Sequence, residues 1–88
     1  MTITGTTIES DVVSIISDVS GFDVEDIKPE TNIMKDLEVD SIKTIEITVA
    51  IEKKYKISVR DEDVPKIATV NDAIILVKRL VAQKNNNQ

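Results

Sequence analysis

The 88-residue chain contains no histidine and no cysteine. Without imidazole there is no Ser-His triad, no imidazole general base and no His-ligated metal. Without a thiol there is no thiolate nucleophile, no sulfur-bound zinc and no disulfide. The lack of cysteine agrees with a reducing compartment. Ser-Lys or carboxylate chemistry stays formally open, but so short a chain has little material to surround a substrate and exclude water. Aromatic residues are almost absent too. Phe22 and Tyr55 are the whole set, so the core must be built from Ile, Val, Leu and Ala. Two glycines and two prolines are few for an all-β protein with many tight turns. No apolar run approaches the ~20 residues needed to cross a bilayer. The first residues, Met-Thr-Ile-Thr-Gly-Thr-Thr, lack the basic and apolar blocks of a signal peptide. The expectation is a cytoplasmic protein that does not insert into membranes.

What is present is compact in information. The length predicts one domain over residues 1–88, with residues 1–6 and 84–88 flexible. A domain of this size buries only about 60–65% of its unfolded surface, so its stability margin is thin. The net charge is −5, from 11 basic and 16 acidic residues. Its distribution says more than its sum. Residues 23–40 hold Asp23, Glu25, Asp26, Glu30, Asp36, Glu38 and Asp40 against Lys28 and Lys35, which equals the entire net charge. Phosphate would be repelled where this field is strongest, so nucleic acid is not an expected partner. The acids are either a solvated loop or an electrostatic docking surface.

Periodicity predicts helices at both ends. Thr6-Thr7-Ile8-Glu9 has the T-x-x-E form of a capping box, and Ile8, Val12, Ile15, Ile16 and Val19 then line one helical face. Gly21 suits a left-handed stop, giving a helix over residues 7–20. Thr69-Val70-Asn71-Asp72 is a second cap-like start. Val70, Ala73, Ile74, Val77, Leu80 and Val81 carry a helix over residues 70–83. Residues 22–39 have no sustained period and read as a long loop pinned by Val24, Ile27, Ile33 and Leu37. Residues 60–65 read as a turn or a single-turn helix. The segment after Ser41 is ambiguous. Alternation and β-branching from Thr44 to Ile51 suggest a strand. A run of about four helical turns without a turn residue, a cap at Asp40 or Ser41, and Lys53, Lys54 and Lys56 at the far end suggest a helix.

Two features near Ser41 invite chemistry. Asp36, Glu38 and Asp40 alternate like the start of an EF-hand loop. The pattern then requires Gly at the sixth position and Glu at the twelfth, where Ser41 and Ile47 stand, so no specific metal site is expected. Ser41 is either a helix cap or the attachment point of a phosphate-linked group. A serine at a helix start exposes its hydroxyl, and nearby free N–H groups favour an added phosphate. The preceding acids would push such a group outward as a mobile arm.

Asp40-Ser41-Ile42, preceded by Asp36-Leu37 and followed by Thr44-Ile45-Glu46, resembles the acyl carrier protein signature, whose usual tripeptide is Asp-Ser-Leu. The resemblance runs over residues 8–82 and includes Tyr55…Ile57 and Ile67-Ala68-Thr69-Val70. It implies an all-α four-helix bundle with a short third helix and a long loop between the first two. It thereby favours helix over strand after Ser41. It also implies a non-catalytic carrier, with 4′-phosphopantetheine from coenzyme A joined to Ser41 and flanked by Asp40, holding acyl groups as thioesters. A phosphopantetheinyl transferase would install the arm. Acyl-activating, acyltransferase or synthase enzymes of fatty-acid, polyketide or related lipid metabolism would dock on the second helix of a monomer. By position the docking residues would be Asp36, Asp40, Ile42, Glu46, Val49 and Glu52.

The sequence departs from the family at several points. Glu38-Val39 replace a usual glycine and its variable neighbour. Lys43, Lys53 and Lys54 stand where acids are common. Residues 41–60 hold five basic residues against Glu46 and Glu52. This reads as a specialised carrier, not necessarily the housekeeping one. Ile45, Val49, Ile51, Val64, Ile67 and Ala73 are candidates to line a space for the acyl chain, with ordinary core packing as the simpler reading. Two alternatives stand beside the acyl carrier: an aminoacyl or peptidyl carrier on the same fold, and an unmodified helical interaction module.

Overall fold

The computed structural model describes residues 7–86. Within them lie α1 (Ile8–Ser20), α2 (Ile33–Asp36), α3 (Ser41–Tyr55) and α4 (Val70–Asn86), with 3-10 turns at Val24–Asp26 and Val64–Lys66. The described residues form no strand, only an isolated antiparallel bridge between Asn32 and Thr69.

The first helix starts one residue later than its T-x-x-E motif suggests. Thr7 is the cap, and its Oγ1 accepts the Ser10 N–H at 3.1 Å. Glu9 is drawn across to α4 instead, where Lys78 Nζ donates to it at 2.7 Å. That contact holds the Glu9 carboxyl below its ordinary pKa. Gly21 ends the helix as expected, with φ 84° and its N–H on Ser17 O. Its left-handed backbone is why glycine stands there.

Helical period, not alternation, governs the segment after Ser41. A half-buried strand would bury Ile45, Ile47, Val49 and Ile51 together. Here Ile47 and Ile51, four residues apart, are buried, while Ile45 and Val49 face out. The β-branched threonines are accommodated because their hydroxyls turn back on the helix. Thr44 Oγ1 donates to Asp40 O and Thr48 Oγ1 to Thr44 O. Lys56 closes α3 in the left-handed region, at φ 56°.

The third long helix begins on a reciprocal box. Thr69 Oγ1 accepts the Asp72 N–H, and Asp72 Oδ2 accepts the N–H groups of Thr69 and Ala68. These bonds hold the Asp72 carboxyl below its usual range. The helix runs to Asn86, past the expected end at residue 83. Lys84 is helical and donates to Tyr55 O at 3.0 Å. The flexibility expected of residues 1–6 and of 87–88 lies outside the described residues.

Residues 22–39 are more ordered than their lack of period suggests. They hold a 3-10 turn and α2, and their backbone satisfies donors that helix starts leave free. Thr31 O accepts the Val70 N–H and Pro29 O the Asn71 N–H, both at the start of α4. Ile33 N–H donates to Ala68 O. Ile27, Ile33, Leu37 and Val39 are buried, but Val24, expected as a pin, is exposed. The short third helix of the expected bundle is one 3-10 turn, Val64–Lys66, containing Pro65.

The core joins Val12 and Ile16 of α1 to Ile47 and Ile51 of α3 and to Val70, Ala73, Ile74 and Val77 of α4. Each fully buried Ile or Val contributes about 1.5–3 kcal/mol relative to exposure. Asp11, near the start of α1, accepts from Tyr55 OH at 2.6 Å and lies 3.9 Å from Lys54. The start of α1 therefore abuts the end of α3, and Ser41 sits at the opposite pole, about 21 Å along the helix.

Candidate functional site

The chain reaches Ser41 through a forced turn. Leu37 and Val39 are both buried, and Glu38 between them is left-handed at φ 55°. Asp40 is then extended and caps α3. Its Oδ1 accepts the Lys43 N–H at 2.9 Å, and its carbonyl accepts both the N–H and the hydroxyl of Thr44. The cap is thus Asp40, and Ser41 is the first helical residue. Ser41 is exposed, and its hydroxyl makes no hydrogen bond among the described residues. Ser17 and Ser20, by contrast, are both bound to the Phe22 backbone.

Ser41 opens onto an apolar pocket of about 380 Å³, lined by Met34, Thr44, Ile45, Val64, Pro65 and Ile67. Three residues expected around an acyl chain, Ile45, Val64 and Ile67, are here. Two others, Ile51 and Ala73, are ordinary core, and Val49 is on the surface. Met34 and Pro65 were not anticipated. A signal for Met34 existed: with Ile33 pinned inward, its neighbour on α2 must face elsewhere.

The expected docking residues divide. Ile42 is 69% exposed, Val49 39%, and Glu46 is exposed between them on the same face of α3. Asp40 and Asp36 are exposed, and each carboxylate also holds backbone, Asp40 at Lys43 and Asp36 at the Asn32 N–H. Glu52 differs. It is half-buried, and its Oε2 accepts the Val59 N–H at 2.8 Å, which ties the chain leaving α3 back to the helix. The carboxylates of Asp36, Glu38 and Asp40 form no metal-binding cluster among the described residues. No helix among those residues is long and apolar enough to cross a membrane.

A family model described as a phosphopantetheine attachment site matches residues 10–77. Similar proteins include the meromycolate extension acyl carrier proteins of Mycobacterium leprae (strain TN), Mycobacterium bovis (strain ATCC BAA-935 / AF2122/97) and Mycobacterium tuberculosis (strain ATCC 25618 / H37Rv). Each is 34% identical over 80 residues, covering 91% of this chain and 70% of the relative. A helical bundle, an exposed serine at a helix start and these matches agree: the chain belongs to the acyl carrier protein family, an acyl carrier with covalently attached 4′-phosphopantetheine.

Proposed function

We propose that Ser41 Oγ is the attachment atom and that the acyl groups carried there belong to fatty-acid, polyketide or related lipid biosynthesis. The observation that carries this reading is the free, exposed hydroxyl at the first position of α3, capped from outside by Asp40. The surroundings suit a phosphodiester. The N–H groups of Ser41 and Ile42, in the uncapped part of the first turn, lie at the positive end of the helix. Asp40 leaves these two free because its own carboxylate is spent on Lys43. When bound, 4′-phosphopantetheine supplies the terminal thiol that holds an acyl group as a thioester, a sulfur this chain lacks.

The protein's own residues present, orient and shelter. Asp40 fixes the first turn and so the direction of the Ser41 hydroxyl. Met34, Ile45, Val64, Pro65 and Ile67 offer apolar surface beside it, where each methylene removed from water contributes about 0.8 kcal/mol. Asp36, Asp40 and Glu46 steer basic partners, and Ile42 and Val49 give them apolar contact. Glu52 adds charge only from the flank. The chain performs no catalysis itself and serves as a monomeric, single-domain, cytoplasmic substrate and partner. Its partners are a phosphopantetheinyl transferase and acyl-activating, acyltransferase or synthase enzymes. The relatives named for meromycolate extension favour acyl over aminoacyl cargo.

Intact mass tests the reading. The unmodified protein, incubated with coenzyme A and a broad-specificity phosphopantetheinyl transferase, gains the mass of one arm, and Ser41→Ala gains none. A gain in Ser41→Ala defeats the assignment. No gain in either favours the unmodified interaction module.

A further inference from the structure

Beyond Val49 the outward face of α3 changes sign. Ile42, Glu46, Val49 and Lys53 follow one another at four-, three- and four-residue spacing and share one face. Lys56, the left-handed residue that closes α3, follows three residues on. Lys53 and Lys56 are exposed, and neither side chain forms an ion pair or hydrogen bond among the described residues. The other lysines of this pole are engaged: Lys54 lies 3.9 Å from Asp11, Lys78 reaches Glu9, and Lys84 reaches Tyr55 O. The place of Lys53 and Lys56 at the negative end of α3 suits the helix dipole and leaves both ammonium groups free to meet a partner.

Helical rise places Lys53 about 10 Å beyond Glu46 and about 18 Å beyond Ser41. That separation is at least the ~8–10 Å over which salt screens exposed charges. The acidic and basic zones therefore act on a partner as two contacts rather than cancelling.

We infer that the enzyme surface receiving α3 is bipolar. It is cationic where it faces Asp40 and Glu46, apolar against Ile42 and Val49, and anionic about 10 Å farther on, where it faces Lys53 and Lys56. This rests on the reading of α3 as the docking helix. Lys53 and Lys56 act as selectivity elements. A uniformly basic groove meets like charge there, and an acidic patch meets its complement.

The probe is a phosphopantetheinyl transferase with a uniformly basic carrier groove, acting on the unmodified protein with coenzyme A at about 0.1 M salt. The double variant Lys53→Glu/Lys56→Glu raises kcat/KM for arm addition about fivefold to tenfold, through KM, and the gain disappears at about 0.5 M salt. Lys84→Glu makes half that charge change at the same pole but off α3, and shifts the rate less than about twofold. A second probe is the same transferase with glutamates replacing the basic groove residues that receive the far end of the docking helix. With it, the wild-type protein becomes the better substrate. A double variant no faster than Lys84→Glu, or no reversal with the second probe, overturns the bipolar surface. Absence of arm addition on every form, wild type included, overturns the attachment reading and this inference with it.

Discussion

Asp40 holds two roles that substitution can separate. Its carboxylate caps α3 through the Lys43 N–H at 2.9 Å, and its charge lies at the positive end of the helix, beside Ser41. Asp40→Ala removes both, at about 1 kcal/mol for the cap within a range of ~0.5–2. Asp40→Asn keeps an equally good capping oxygen and loses only the charge, about 0.3–1 kcal/mol. In a domain of this size about 1 kcal/mol moves Tm by ~4–8 °C. Thermal melts followed by circular dichroism should place Asp40→Ala about 5–16 °C below wild type and Asp40→Asn at most about half as far. Arm addition adds a second axis. Asp40→Asn should be slower than wild type at low salt and equal to it at high salt, because only steering is lost. Asp40→Ala should stay slow at both, because the turn presenting Ser41 frays. The reasoning fails if Asp40→Ala melts with wild type, or if the two variants melt together.

Other outcomes follow from the same packing and capping. Ile16 is fully buried, so Ile16→Ala should cost about 2–5 kcal/mol, read as a lowered urea midpoint. Lys56→Gly relieves a left-handed side chain worth roughly 1–2 kcal/mol, partly offset by glycine's freedom in the unfolded chain. Its Tm should rise, while Lys56→Ala, still strained, should not. The Asp72 carboxyl is lowered in the folded state by bonds from Thr69 and Ala68, so its stabilisation is complete above the unfolded carboxylate pKa of about 3.9. It is lost as pH falls through the lower folded value. The stability gap between wild type and Asp72→Ala, from urea titrations at several pH values, should be full at neutrality and close in strong acid.

The two amphipathic end helices were legible because apolar residues at three- and four-residue spacing meet cap residues at their starts. Local signals were weaker in two places. After Ser41, β-branching and alternation imitated a strand. The helix wins because Thr44 and Thr48 return their hydroxyls to its carbonyls and the core receives Ile47 and Ile51. Pairwise spacing could not reveal that outcome, whereas likeness to a family did. In residues 22–39 order comes from tertiary bonds, as Thr31 and Pro29 accept from the start of α4, and such long-range partners leave no periodic trace.

At the site, Ser41 and its acidic approach could be read from the chain, and the Glu38 turn was foreshadowed by its place at a usual glycine. The split between Asp40 and Ser41 as cap could not, since both residue types cap well. Nor could the diversion of Glu52, whose partner Val59 lies beyond the end of the helix. A carboxylate seven residues from a free N–H is visible only once the chain has turned back.

The central claim is that one hydroxyl carries the arm, and peptide mapping tests it most directly. Cleavage after Lys35 and Lys43 releases residues 36–43, Asp-Leu-Glu-Val-Asp-Ser-Ile-Lys, in which Ser41 is the sole hydroxyl. After treatment with coenzyme A and transferase, the added mass should appear on that peptide alone. An arm found on any other peptide contradicts the account.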